Sequence, residues 1–418
     1  MTLSSLRQVD DLLRKREIKK AEVLIAKFLR SDLSSIDRAE WLISRARARL
    51  LGARFDDALD DLVQAKNLVS EVENDPAFLE LLGDVHFARF ELASVGFTDR
   101  HDTENALNAY ERILNRFPAY ANIGWVKYQK ARILLTENRV SEAASCLHEA
   151  LNSTSQVQSL TAYCYERLGF IAFYETRDLP GALAFLDQAV AHYPPDEMRA
   201  WLTQVLTLRA RILREMNNFD MALEAASLAI QNATASGSDG KLGLADALLT
   251  AGEIACQIEG REREVILYLQ QFLQSTRKPL GIDVTYSRVY EMLGDAYMKT
   301  GSPQTAVSAY LNALQFNPYH PWEQTIYYRM SRCYYQLRDY NKAIQTIEQM
   351  IASAQVDGGS VSDYRVYHVL GNCFYALGQY TRALEAYQVA LEIAPPNAQN
   401  VETIRQYYQY AHSLSHPV

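Results

Sequence analysis

Residues 287–318, SRVYEMLGDAYMKTGSPQTAVSAYLNALQFNP, predict two short helices folded back on one another. Tyr290, Leu293, Gly294 and Tyr297 recur at helical spacing and mark one buried face. Gly301 supplies the stop, because glycine enters the left-handed conformation without steric cost. Ser302 and Pro303 predict an N-cap and a first helical residue for a second helix. Ala306, Tyr310 and Ala313 give that helix an inner stripe, and Pro318 follows its end. The small residues Gly294 and Ala306 suit a close crossing, where bulk on both sides would collide.

Small residues at the same point of the pattern recur at 46, 83, 131, 169, 210, 252, 294, 331 and 371. Most gaps are about 37–42 residues, so the chain reads as a tandem repeat with units longer than the 34 residues of the simplest helical arrays. The series Tyr290, Leu293-Gly294, Tyr297, Ala306, Tyr310 and Pro318 resembles the tetratricopeptide repeat signature, with tyrosine where tryptophan is usual. Tyr367, Leu370-Gly371, Phe374, Gly378, Ala383, Tyr387, Ala390 and Pro395 fill the same slots again. The resemblance implies an all-α fold: a right-handed superhelical α-solenoid of about ten helical hairpins plus a C-terminal capping helix. Residues 1–418 are expected to form a single continuous array. Within it, 1–37 form a divergent capping hairpin, 38–396 the repeats, and 397–418 a capping helix and tail. Residues 94–104 read as an insertion loop, and Asp56-Asp57 with Asp60-Asp61 as an exposed helix face.

Composition narrows the function. The formal net charge of −8 provides no basic footprint for nucleic acid and no polybasic membrane anchor. No stretch approaches the roughly 18 apolar residues of a membrane span. The N-terminal stretch alternates charged and apolar residues, unlike a secretory signal, so a soluble cytoplasmic protein is expected. Five scattered cysteines without a CxxC read as free thiols. No phosphate-binding loop, dinucleotide fingerprint, zinc signature or nucleophile elbow is present. His412 and His416 are four residues apart, but Pro417 ends that helix and no carboxylate is near. Asp99, His101, Asp102 and Glu104 read as a solvated loop. No enzyme, cofactor or metal site is expected.

The resemblance implies instead a concave groove lined by the first helix of each hairpin. Its expected contact residues are Trp125, Tyr128, Arg132, Tyr163, Phe170, Tyr174, Arg211, Arg214, Tyr328, Arg332, Tyr335 and Tyr375. Arg47, Arg132, Arg211 and Arg332 each follow a small crossing residue, whereas Asp84, Glu253 and Asp295 take that place in other units. Charge should therefore alternate along the groove. Arginine beside aromatic rings suits carboxylates, phosphates and interface anchoring. The co-chaperone clamp for a C-terminal carboxylate maps to Glu291, Asp295, Arg329, Arg365 and Val369, whose first two acids would repel such a ligand. The expectation is a non-enzymatic scaffold or adaptor that grips an extended peptide or partner helix in this groove, with no nucleic acid and no membrane insertion, and able to sit in a larger complex. The alternative is a regulatory sensor whose array binds a small peptide or ligand and acts on a separate chain.

Overall fold

The computed structural model describes residues 3–92, 100–193, 199–235, 241–318, 320, 323–356, 360–395, 397–398 and 400–415. It is helical throughout, with no strand among the described residues. Contacts divide it into a first unit, 1–197, and a second, 198–418. The first unit pairs α1 (Leu3–Arg14) with α2 (Ile18–Leu29), α3 (Ser35–Leu51) with α4 (Phe55–Leu68), and α5 (Pro76–Leu92) with α6 (Arg100–Arg116). It continues with α7 (Ile123–Thr136) on α8 (Val140–Leu151) and α9 (Leu160–Tyr174) on α10 (Leu179–Ala191). The second unit pairs α11 (Arg199–Glu215) with α12 (Phe219–Ala235), and α13 (Lys241–Ala255) with α14 (Glu262–Ser275). Then follow α15 (Val284–Lys299) on α16 (Pro303–Phe316), α17 (Glu323–Gln336) on α18 (Tyr340–Val356), and α19 (Tyr364–Ala376) on α20 (Tyr380–Ile393). A last helix, α21 (Val401–Ser415), packs on α20 and buries Ile404 and Ala411.

Five hairpins close through a contact between a glycine on the first helix and a large side chain on the second. A Cβ added at Gly83 would lie 2.6 Å from the Tyr110 ring, and one at Gly371 2.5 Å from Tyr387; Gly294 sits equally tightly under Tyr310. The tyrosine hydroxyl then donates to the residue after the glycine: Tyr110 to Asp84 at 2.6 Å, Tyr310 to Asp295 at 2.6 Å, Tyr387 to Asn372 at 2.7 Å. Where Leu186 covers Gly169 and Leu269 covers Gly252, there is no hydroxyl to give. The following residues, Phe170 and Glu253, bond elsewhere: Phe170 stacks on Tyr174, and Glu253 pairs with Arg214 and Arg288.

The turns inside the hairpins share a left-handed residue. Gly301 and Gly378 adopt it at φ +75° and +72°, and Arg16, Ala53, Asn138, Arg177, Asn217 and Arg338 adopt it without glycine's freedom. Pro303 is the first residue of α16, as expected, but Ser302 makes no side-chain cap.

Two acidic clusters differ from the sequence expectation. Asp61 is not on an exposed face; it is fully buried, 2.5 Å from Arg45 and 2.6 Å from Arg49 of the facing helix. It shares the inner stripe with Ala58, Leu62 and Ala65, and the two long arginine stems carry compensating charge to it. Asp102 belongs to α6, not to a solvated loop, and is 2% exposed. It accepts from Arg89 Nε at 2.8 Å and Nη2 at 2.6 Å, and His86 Nδ1 lies 2.7 Å away. Burial works against its charge, but Arg89 and His86 hold its carboxyl below the usual carboxylate range. Asp99 and His416 lie outside the described residues. All five cysteines are free thiols.

The glycine contact predicts a position-specific cost. Gly294→Ala should lower stability by about 1–3 kcal/mol, since the rigid ring of Tyr310 must move. Gly281→Ala, with nothing within 4 Å, should change it by less than about 0.5 kcal/mol. Urea unfolding of both variants checks this, and equal midpoints would contradict it.

Candidate functional site

Within each unit the first helices of successive hairpins touch one another directly: α1 on α3, α3 on α5, α5 on α7, α7 on α9, and in the second unit α11 on α13 and α17 on α19. The second helices pack on the next first helix instead. The first helices therefore form the inner face of each row.

In the first unit this face carries an aromatic ladder. The rings of Trp125 and Tyr128 lie 5.3 Å apart, Tyr128 and Tyr163 5.9 Å, and Phe170 and Tyr174 4.4 Å. Tyr128 is only 5% exposed and belongs to the core; Trp125, Tyr163 and Phe170 are half-buried, and Tyr174 is exposed. Arg132 sits over Phe87 at 4.8 Å, donates to Gln129 at 2.8 Å and is ion-paired with Glu91. The indole of Trp125 donates to Asp84 at 3.3 Å, and Gln129 donates to the same carboxylate at 3.0 Å. One half-buried acid thus ties Tyr110 of its own hairpin to two residues of the next. Glu80, one turn earlier, accepts from Asn122 at 2.7 Å. Burial, and then the nearby Asp84, push the Glu80 carboxyl up to about 7.

In the second unit, Arg211 pairs with Asp246 and donates to Thr250 at 3.3 Å, while Arg214 pairs with Glu253. Both arginines therefore join α11 to α13. Direct packing falls away between α13 and α15 and between α15 and α17, and a cavity of about 560 Å³ opens there. Its apolar wall includes Val265, Met292, Ala296 and Met298, and its polar wall Cys256, Asp295 and Lys299. Burial pushes the Cys256 thiol up to about 11, so it is a neutral wall residue at pH 7. Arg329 bridges Glu291 at 2.8 Å and Asp295 at 2.9 Å, so its charge is used inside the protein.

A second cavity, about 750 Å³, lies between α17, α19 and the segment leading into α21. It brings together Tyr328, Arg332 and Tyr335, all anticipated as contacts, with Arg365 and His368. Arg332 and Gln336 line both cavities. Tyr375 falls outside them, packed between Tyr380 and Tyr407 at 5.6 and 5.8 Å. It supports the capping helix.

The four arginines that follow a crossing residue are not equivalent. Arg47 approaches Asp10 at 3.9 Å, Arg132 pairs with Glu91 and Arg211 with Asp246. Arg332 is exposed and makes no hydrogen bond or ion pair to a described residue; its one neighbour of note is the Tyr328 ring at 5.9 Å. Sequence spacing identified the register of these residues. Which of them lack a partner depends on acids 35–41 positions away in three of the cases, and spacing alone does not reveal those pairings.

Two predictions follow from these partnerships. Arg332→Gln strands no acid and should leave the unfolding midpoint unchanged, whereas Arg132→Gln loses the Phe87 contact and frees Glu91, costing about 1–2 kcal/mol. Urea titration separates the two; equal losses would contradict the assignment. The second concerns pH. A carboxyl whose folded pKa is raised stabilises the fold below its unfolded value, and that stability is lost as pH rises toward the folded one. Wild type should therefore weaken between about pH 4.5 and 7 by up to about 3 kcal/mol more than Glu80→Gln. Identical pH slopes for the two proteins would refute a protonated Glu80.

Among the described residues no helix is long and apolar enough to cross a membrane, and no group of acids, histidines and cysteines is arranged to hold a metal. The tetratricopeptide repeat profile matches residues 287–320, 324–356 and 364–397, which correspond to α15–α16, α17–α18 and α19–α20. No curated protein sequence matches the chain significantly. Similar solved structures include the C-terminal part of a TPR repeat-containing protein from Cytophaga hutchinsonii, with 16% identity and a TM-score of 0.47 over 66% of this chain and 98% of that one. MamA has 22% identity and a TM-score of 0.37, over 46% and 91% of the two chains. The APC/C hetero-tetramer Cut9-Hcn1 has 13% identity and a TM-score of 0.35, over 97% and 83%. The three profile-matched helical hairpins, residues 287–320, 324–356 and 364–397, are tetratricopeptide repeats.

Proposed function

We propose that this chain is a non-enzymatic scaffold that grips an extended segment of a partner protein along the face built by α13, α15, α17 and α19. One observation carries the reading: the exposed Arg332, which pairs with no acid among the described residues, stands on the shared wall of two cavities. An unpaired guanidinium beside an aromatic ring is a strong interface anchor, because it gains a partner on binding without breaking an internal pair. The Met292 and Met298 wall of the neighbouring cavity offers an adaptable apolar seat for a side chain of the same segment. Two cavities side by side suit a chain passing over both. In this reading residues 1–418 act as one array.

Site-specific photo-crosslinking in native cell extract tests it. Benzoylphenylalanine placed at Gln336 should capture one partner, with the attached peptides mapping to one continuous segment. The same probe at Leu311, exposed on the second helix α16, should capture none of that segment. Arg332→Glu should abolish the Gln336 cross-link. Cross-links from Leu311 but not Gln336 would move binding to the outer face, and none from either would overturn the scaffold reading.

A further inference from the structure

The cavity between α17 and α19 differs chemically from its neighbour. Among the described residues no aspartate or glutamate lines it, whereas Glu262 and Asp295 line the other. Arg332 enters from α17, Arg365 and His368 from α19, and Asn397 and Asn400 from the segment before α21. The two guanidinium groups are held over the same ring, Arg332 at 5.9 Å and Arg365 at 5.4 Å from the centre of Tyr328. Aromatic faces hold such cations by their negative quadrupole, so one tyrosine brings both guanidinium groups to one side of the cavity, the charge of Arg365 being partly balanced by Asp363.

The two arginines are prepared differently. Arg365 is oriented by Asp363, donating through Nε at 2.9 Å and Nη2 at 2.6 Å, while Nη1 makes no hydrogen bond to a described residue. Arg332 has its whole fork available. A single carboxylate is satisfied by one guanidinium fork. Here a second guanidinium and two carboxamides would remain over. A phosphomonoester dianion, with three terminal oxygens and nearly two charges, uses both cations and the neutral donors together. A cavity of about 750 Å³ also exceeds what a carboxylate side chain fills, and falls within the range of small-ligand sites.

His368 adds an independent sign. Its Nε2 is buried and makes no hydrogen bond to a described residue, an uncommon state for an imidazole nitrogen. Burial pushes its pKa down, so the ring is neutral at pH 7 and adds no repulsion beside the two arginines.

We propose that this cavity is a subsite for a phosphorylated side chain, so that the scaffold favours the phosphorylated form of its partner segment. The proposal rests on the peptide-binding reading and gives one of the two cavities its ligand class.

The test uses the full chain with histidine side chains labelled for NMR, the His368 resonance being assigned by its loss in His368→Gln. The probes are N-acetyl-O-phosphoserine methylamide, the corresponding glutamate derivative, and free phosphate. The phosphoserine derivative should move the His368 resonance saturably, and its affinity should fall by about tenfold or more in Arg332→Gln. Asn400→Asp, which adds a negative charge to the wall, should weaken it similarly. The glutamate derivative should bind about tenfold more weakly than the phosphoserine derivative, and free phosphate should shift the same resonance. No saturable shift at millimolar phosphoserine derivative would overturn the proposal. Equal affinity for glutamate would make the cavity a carboxylate site instead, and undiminished binding by both variants would place the phosphate elsewhere. The cross-link from Gln336 keeps the two readings separate. A cross-link without phosphate binding removes only the phosphate assignment, and phosphate binding without a cross-link removes the peptide platform.

Discussion

The hairpins depend on a contact in which a side chain of the second helix rests where a glycine of the first has no Cβ. Helix axes usually stand about 8–10 Å apart, and a missing side chain on one partner lets a large ring fit at the crossing. Tyr110, Tyr310 and Tyr387 fill that space almost completely, each being at most 1% exposed. A phenolic hydroxyl carried inward by such a ring needs a hydrogen-bond partner, and Asp84, Asp295 and Asn372 provide it. Packing at the crossing and polarity at its rim are thus set by one residue pair in each of these hairpins.

The same economy explains how charge is handled on the inner face. Several of its ionic groups join neighbouring hairpins: Arg89 to Asp56, Arg211 to Asp246, Arg214 to Glu253, Arg329 to Glu291. Bonds of this kind suit a row in which each hairpin touches only its neighbours, because they add to the apolar interface without needing a central core. They also hide charge from a ligand. An exposed face rich in arginine therefore presents far less free positive charge than its composition suggests, and the uncommitted Arg332 stands out against it.

Much of this was legible in the chain. The recurrence of Gly83, Gly169, Gly252, Gly294 and Gly371 identified the crossings, and the aromatic and arginine positions identified the inner face. The inner stripe also held the clue to Asp61, four residues before Ala65, and to Asp102, four before Ala106 and eight before Tyr110. Reading aspartate as a surface residue concealed both, because burial of an acid depends on cations brought from another helix. The cavities were out of reach for a different reason. One arises from the separation of α13, α15 and α17, and the other from the way the segment before α21 meets α17 and α19, arrangements no single hairpin encodes. The partnership of each arginine is likewise a property of neighbouring hairpins together.

The alternation of tyrosine and leucine at the crossings has a consequence for how such a protein changes over generations. With tyrosine over the glycine, the next side chain is tethered from behind by the hydroxyl. With leucine there, as at Gly169 and Gly252, the next side chain is released to make other contacts. A substitution on the second helix can therefore change what a side chain of the first helix contacts while that side chain's own identity stays constant.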